Sequence, residues 1–270
     1  MKLGEFVVRK SYGKDVTFRI LELWGRIATL KGVQLRLFAD SPVHDLEVTS
    51  EPQIEVDARA IPIARMQRSR IEDNEKKIEP YFELPGTILH LDGDANYLRK
   101  SIELYNKLNI PAEGYHLKEA DMANALIQLL PKVKPDILVI TGHDGIIKNM
   151  YQQDKYNLQS YRNSKFFVHA VHTARAYERN RDQLIIIAGA CQSHFEALLQ
   201  AGANFASSPA RIFIHALDPV YIAAATAYTP IRETLNLRDV IMNTMSGLKG
   251  LGGIETRGSY RFGLPKIDGS

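Results

Sequence analysis

The sequence predicts an α/β protein, a mostly parallel sheet with helices on both faces, preceded by a small β-barrel of SH3-like size. Three observations predict it. From Gly86 onward, short apolar runs alternate with amphipathic stretches, the rhythm of a parallel sheet buried on both sides. Before residue 56 the apolar runs alternate with polar positions between turns marked by Gly4, Gly13, Gly25 and Gly32. Finally, 270 residues with 45% hydrophobic content suffice for one large core and one small one.

In chain order, "FVVRK", "VTFRILEL", "RIATL" and "VQLRLFA" are the strands expected of the barrel, residues 1–60. "RMQRSRIEDNEKKIEP" is dominated by charge and has little to bury, so 61–84 reads as a connector. The α/β domain takes 85–270. "GTILHLDG" is its first strand, and Asp94 can cap the helix "ANYLRKSIELYNKLN", whose Leu98, Ile102, Tyr105 and Leu108 recur at helical spacing. "AEGYHL" is the second strand, backed by the helix "EADMANALIQLL". "DILVITGHDG" is the third, with crossover helix "KFFVHAVHTARAYE". "QLIIIAGACQ" is the fourth, followed by "HFEALLQAG", in which Gly202 is a natural helix stop. "ANFASSPARI" makes a shorter fifth, and the remainder reads as helical until the glycine-rich tail "SGLKGLGGIETRGSYRFG", expected to be a flexible loop.

Charge excludes little but narrows the classes. The 34 basic and 31 acidic residues leave a net charge of +3, a slight excess that does not imply a nucleic-acid partner. The single cysteine cannot form an intrachain disulfide, and "MKLGEFVVRKSYGKDVTF" has no apolar core of a signal peptide, so an intracellular protein is expected. No stretch reaches the roughly 18 apolar residues of a membrane span. The tail glycines Gly247, Gly250, Gly252 and Gly253 match no phosphate-binding fingerprint, so no cofactor is expected.

Open parallel sheets bind ligands outside the carboxyl ends of their strands, which singles out polar residues directly after apolar runs. Three places qualify: Asp92 and Asp94, His143 and Asp144, and Cys191. A thiol needs a base to become a nucleophile, and imidazole is the usual one. His143 precedes Cys191 by 48 residues (143 to 191), in an Ala-Cys context like that of caspases, where the offset is roughly 50. Gly189 and Ala190 before the cysteine would give a substrate backbone clearance.

The blocks "ILVITGHDG" and "LIIIAGAC" together resemble the caspase-like cysteine peptidases. Asp144 stands between His143 and Gly145, where those enzymes have His-Gly directly. The longer words "PGTILHLDGD", "PDILVITGHD", "AGACQSHFEALLQAGANFASSP", "IHALDPVYI" and "GLGGIETRG", with the opening "KLGEFVVRKSYGKDVTFRI", resemble the YabG family of sporulation-specific proteases over nearly the whole chain. The resemblance implies a caspase-like (flavodoxin-like) sheet, a cysteine endopeptidase that processes spore-coat and related spore proteins, and a dyad of Cys191 and His143. By the same resemblance it works in the sporulating mother cell.

Read as residues, Cys191 would form a thioester acyl-enzyme and His143 would move the proton. The resemblance to caspase-like enzymes implies that the Cys191 amide, with that of Gly145 or Asp144, would hold the oxyanion. Ser193 reads as the cap of the following helix and His194 as a supporting residue in its first turn. Asp92, Asp94 and Asp218 are candidate receivers of a substrate Arg or Lys, which predicts cleavage after basic residues. Arg65, Arg68 and Arg70 in the charged connector are then candidate self-cleavage sites. Two other classes compete: a metal-dependent hydrolase using His90, Asp92, His143 and Asp144, and a non-enzymatic spore-coat assembly module in which Cys191 is merely packed. His169 and His172, three apart on a helix, read as flank residues of that helix and not as a metal pair.

Overall fold

A strand buried on both faces must be apolar throughout, and "ILVIT" and "IIIA" are. They form β9 (Ile137–Thr141) and β10 (Ile185–Ala188), every residue of which is buried in the computed structural model, which describes residues 1–50, 82–147 and 154–264. β9 and β10 pair in parallel, with Ile137 opposite Ile185 and Ile140 opposite Ala188. β7 (Ile88–Asp92) pairs in parallel with β9 on one side and with β8 (Ala112–His116) on the other. β11 (Phe205–Ser207) adds in parallel to β10. The order β8-β7-β9-β10-β11 is 2-1-3-4-5 in sequence, and it reverses between β7 and β9. That reversal is the place where a doubly wound sheet opens a crevice for ligand.

Strand residues alternate between two cores, as a pleat requires. Ile137, Val139, Ile185 and Ile187 meet Leu104 and Tyr105 of α1 (Ala95–Lys107) and the buried helix α5 (Asp218–Tyr228). Leu138, Ile140, Ile186 and Ala188 meet α2 (Met122–Val133), α3 (Ser164–Tyr177) and α4 (Phe195–Ala201) through Leu126, Phe167, Val171 and Leu198. Fully burying one such Leu, Ile or Phe is worth about 1.5–3 kcal/mol, so the rim above these strands stands on a rigid base. Asp94 caps α1 as expected, accepting from the Asn96 and Tyr97 amides, and Gly202 ends α4 at φ +116.

The tail differs from expectation. It is not a loop: after the short helices α6 (Leu237–Met242) and α7 (Gly247–Gly250), Leu251–Gly253 forms β12, antiparallel to β11. Its glycines serve packing, since the ring of Phe195 lies where a Cβ on Gly252 would fall, 2.8 Å away. Arg261–Gly263 (β13) pairs with Phe82–Leu84 (β6).

Residues 6–48 form a five-stranded antiparallel sheet in the order β4-β3-β2-β1-β5, from β1 (Phe6–Arg9), β2 (Thr17–Trp24), β3 (Ile27–Gly32), β4 (Phe38–Pro42) and β5 (Leu46–Val48). Its core is Val7, Phe18, Ile20, Ala28, Leu30, Leu37 and Leu46. The strand expected over "VQLRLFA" is displaced. Lys31 pairs with Phe38, so Val33–Leu37 is the tip of the β3–β4 hairpin, closed by the Gly32 amide on Leu37 O at 2.7 Å. Arg36 leaves the ladder because its side chain is bound elsewhere, on the rim of the large sheet. The charged connector, including Arg65, Arg68 and Arg70, lies outside the described residues.

Candidate functional site

Cys191 and His143 lie just beyond the carboxyl ends of adjacent parallel strands, β10 and β9. Ala188 and Ile140 are paired, and each residue lies three positions farther along its own chain. Between strand and cysteine the chain turns sharply: Gly189 has φ +108, Gln192 has φ +54, and the Ser193 amide donates back to Ala190 O. A Cβ on Gly189 would fall 2.8 Å from Leu198 Cδ1, so only glycine lets the turn sit this close to α4. A non-glycine residue at positive φ beside a nucleophile candidate is the kind of strain that functional turns hold.

The thiol is wholly buried. Ile214 N donates to its Sγ at 3.3 Å, and burial pushes the Cys191 thiol up to about 12, so it is protonated as it stands. His143 is held from several sides. Its amide donates to Glu119 Oε1 at 2.9 Å, its Nε2 is 3.4 Å from Asp94 Oδ2, and the Phe38 ring lies over it with centroids 4.3 Å apart.

Asp144 does not face the cleft. Its carboxylate accepts from the amides of Gly145 (2.9 Å) and Asn163 (2.8 Å) and from the hydroxyls of Ser164 and Ser193, and burial pushes its carboxyl up. Gly145's N–H is thereby spent. Ser193 is not the helix cap. Its hydroxyl donates to Asp144 and accepts from the Ala190 amide at 2.9 Å, pinning the cysteine turn to the His143 loop. The cap is His194, whose Nδ1 accepts from the Ala197 amide at 3.3 Å while Nε2 donates to Tyr156 O at 2.8 Å. Both imidazole nitrogens of His194 are committed. His169 and His172 lie exposed along α3.

The three acidic candidates separate. Asp218 sits at the start of α5 and accepts from the amides of His215, Met245 and Ser246 at 2.8–3.2 Å. Burial raises its carboxyl to about 6. Asp94 is bound to its helix amides and to Lys31. Asp92, at the end of β7, holds a side chain from the other sheet: Arg36, with no exposed surface, donates from both terminal nitrogens to both carboxylate oxygens at 2.7 Å. Burial alone would push the Asp92 carboxyl up; the guanidinium overrides this and holds it well below the usual carboxylate range. His90 is buried and lowered by burial, and its nitrogens meet Tyr105 OH at 3.1 Å and Thr141 Oγ1 at 3.0 Å. With Asp92 on Arg36 and His90 on these hydroxyls, the ligand set imagined for a metal is committed to protein partners. No group of three metal-ligating side chains lies together among the described residues.

Asp92, His143 and Cys191 thus follow the carboxyl ends of three neighbouring parallel strands, β7, β9 and β10. Across residues 2–265 the chain matches the sequence model of the family described as YabG peptidase U57. It belongs to that family. The sporulation-specific protease YabG of Bacillus subtilis (strain 168) is 44% identical over 285 aligned positions, spanning 98% of this chain and 98% of that protein. The family expected from the long sequence words is therefore the one the chain belongs to. Among the described residues no helix is long and apolar enough to cross a membrane. Arg36 is what the sequence reading missed; the alternation around it looks like a strand, and no local signal reports a partner 56 residues away.

Proposed function

We propose that this peptidase is a cysteine endopeptidase of sporulation, with Cys191 as nucleophile and His143 as proton carrier. The observation that carries it is that both residues directly follow the carboxyl ends of the paired parallel strands β9 and β10, the edge at which a doubly wound sheet binds ligand. The Cys191 Sγ attacks the scissile carbonyl carbon while His143 takes the thiol proton. The carbon–nitrogen bond then breaks as His143 returns that proton to the leaving amine. Water hydrolyses the thioester, restoring the thiol and releasing the new carboxyl end. The Cys191 amide receives the oxyanion, with the Asp144 amide as second donor because that of Gly145 is taken up by Asp144 Oδ1.

Substrate preference is for cleavage after basic residues, and Asp92 is the acidic residue that receives them. The Arg36 fork supports this assignment over Asp94 and Asp218, since it shows Asp92 accepting a guanidinium in bidentate geometry. The substrates are spore-coat and related spore proteins, met in the mother cell. The resemblance of the sheet to caspase-like peptidases and of residues 1–60 to an SH3-like barrel, with 85–270 as the peptidase domain, belongs to the same reading. So does slow self-cleavage in the connector after Arg65, Arg68 or Arg70. Incubating wild type and Cys191→Ala with spore-coat extract and mapping new N-termini tests it. New termini preceded by Arg or Lys, made by wild type alone, are expected; termini made equally by Cys191→Ala would refute the nucleophile.

A further inference from the structure

The β3–β4 hairpin tip lies against the segment that leads into α5. Leu35 bridges His215 in antiparallel fashion, and the Ala216 amide donates to Gln34 O at 3.0 Å. The next residue, Arg36, fills the Asp92 pocket. Besides the carboxylate fork, its Nη2 donates to Ala216 O at 3.2 Å, and the guanidinium lies over the Tyr97 ring, 4.7 Å from its centroid. The Arg36 backbone and guanidinium both act on the Cys191 thiol in the direction that favours its ionised form, against the larger effect of burial. Two residues on, Phe38 covers His143. The tip is fastened on both flanks: the single Tyr97 O–H is shared between Gly32 O at 2.5 Å and Leu35 O at 3.0 Å, and Lys31 pairs with Asp94.

A protein substrate reaches such a site by adding an extended strand to a free edge and dropping side chains into pockets, main chain giving affinity and pockets giving specificity. Here the edge at His215–Ala216 and the pocket at Asp92 are both filled by Gln34–Arg36. We propose that this edge and pocket are the substrate-strand site, and that the hairpin tip is an internal competitor for it, with Arg36 standing where the basic residue of a substrate would bind. The proposal rests on the peptidase reading above.

The tip blocks without being cut for a geometric reason. The Leu37 amide turns back to Leu35 O at 2.8 Å, so the chain at Arg36 is folded in a tight turn instead of lying extended as a scissile bond requires. The flanking strands β3 and β4 keep it in place. A substrate must therefore displace the tip, so the apparent affinity for substrate is reduced by the fraction of molecules in which the tip is lifted. Disengaging it also exposes Cys191 and uncovers His143, so a single motion delivers both substrate access and a solvated thiol.

Full-length wild type, Arg36→Ala and Phe38→Ala provide the test, with two readouts: the rate of Cys191 alkylation by iodoacetamide, followed by mass spectrometry, and hydrolysis of a fluorogenic arginyl peptide. Arg36→Ala should raise both by about tenfold or more, and added agmatine, a guanidinium without a peptide bond, should inhibit its hydrolysis. Phe38→Ala, which leaves the buried ion pair intact, should raise alkylation severalfold and decides the matter if Arg36→Ala does not fold. Rates equal to wild type in every folded variant would overturn the internal competitor. Cys191→Ala separates the two levels: if it still hydrolyses the peptide, the assignment of Cys191 as nucleophile falls; if it is dead while the tip variants match wild type, only the competitor falls.

Discussion

Asp92 ends an apolar strand and Asp218 starts an apolar helix, both are buried, and their carboxyls move in opposite directions. Asp218 is met only by amides and a hydroxyl, and burial lifts it to about 6. Asp92 is just as buried yet lies well below the usual range, because a guanidinium supplies the opposite charge. Burial therefore does not decide whether a carboxylate is a charge receiver; the partner does. One is part of the scaffold, and the other is a socket for a cation.

The largest expected effect breaks this comparison directly. In a protein whose tip has been released by Arg36→Ala, adding Asp92→Asn should lower kcat/KM for arginyl peptides by on the order of a hundredfold, the value of a charged hydrogen-bonded pair. Adding Asp218→Asn should leave kcat/KM within about twofold, because Asp218 is engaged only by scaffold groups, among them the amides of His215, Met245 and Ser246. In otherwise wild-type protein Asp92→Asn should also cost about 3–5 kcal/mol in chemical denaturation, since it strands the buried Arg36.

The pH dependence of stability sharpens it. A carboxyl raised on folding contributes stability that is present below its unfolded value and lost as pH rises through the folded one. For Asp218 that window runs from 3.8 to about 6, so wild type should lose stability relative to Asp218→Asn across it. Asp92 has the opposite sign: its contribution is present above 3.8 and is lost as pH falls below that. Asp92→Asn should therefore show a smaller drop in Tm on acidification than wild type. Melting curves of the three proteins across acid pH would show both slopes, and parallel curves would contradict the assignment.

Smaller effects belong to the cysteine turn. Ser193→Ala should cost about 1–3 kcal/mol by leaving the buried Ala190 amide without its acceptor, and should lower activity with it, because the turn carries Cys191. His194→Ala should cost about 1 kcal/mol as a lost cap and retain most activity.

These residues also show what was legible in the sequence. Apolar runs such as "IIIA" announce buried parallel strands because no polar residue fits there, so the sheet, its order around Cys191 and the Asp94 cap could be read in advance. The cap of α4 was misplaced by one residue because Ser193 and His194 both offer a capping atom, and the choice depends on Asp144, distant in sequence. β12 was missed because its glycines suit packing against Phe195 and Phe205, which local propensity does not report. Arg36 was hidden most completely: alternation of "VQLRLFA" fits a strand, and only the tertiary fold brings Asp92 beneath it.

The most direct test of the account is covalent: treat the full-length protein with an arginyl chloromethyl ketone and locate the adduct by peptide mass spectrometry. The account predicts one adduct, on Cys191, formed faster in Arg36→Ala and about a hundredfold or more slower in His143→Ala. Labelling of Cys191 at the same rate without His143, or no labelling of Cys191 even after Arg36 is removed, would contradict it.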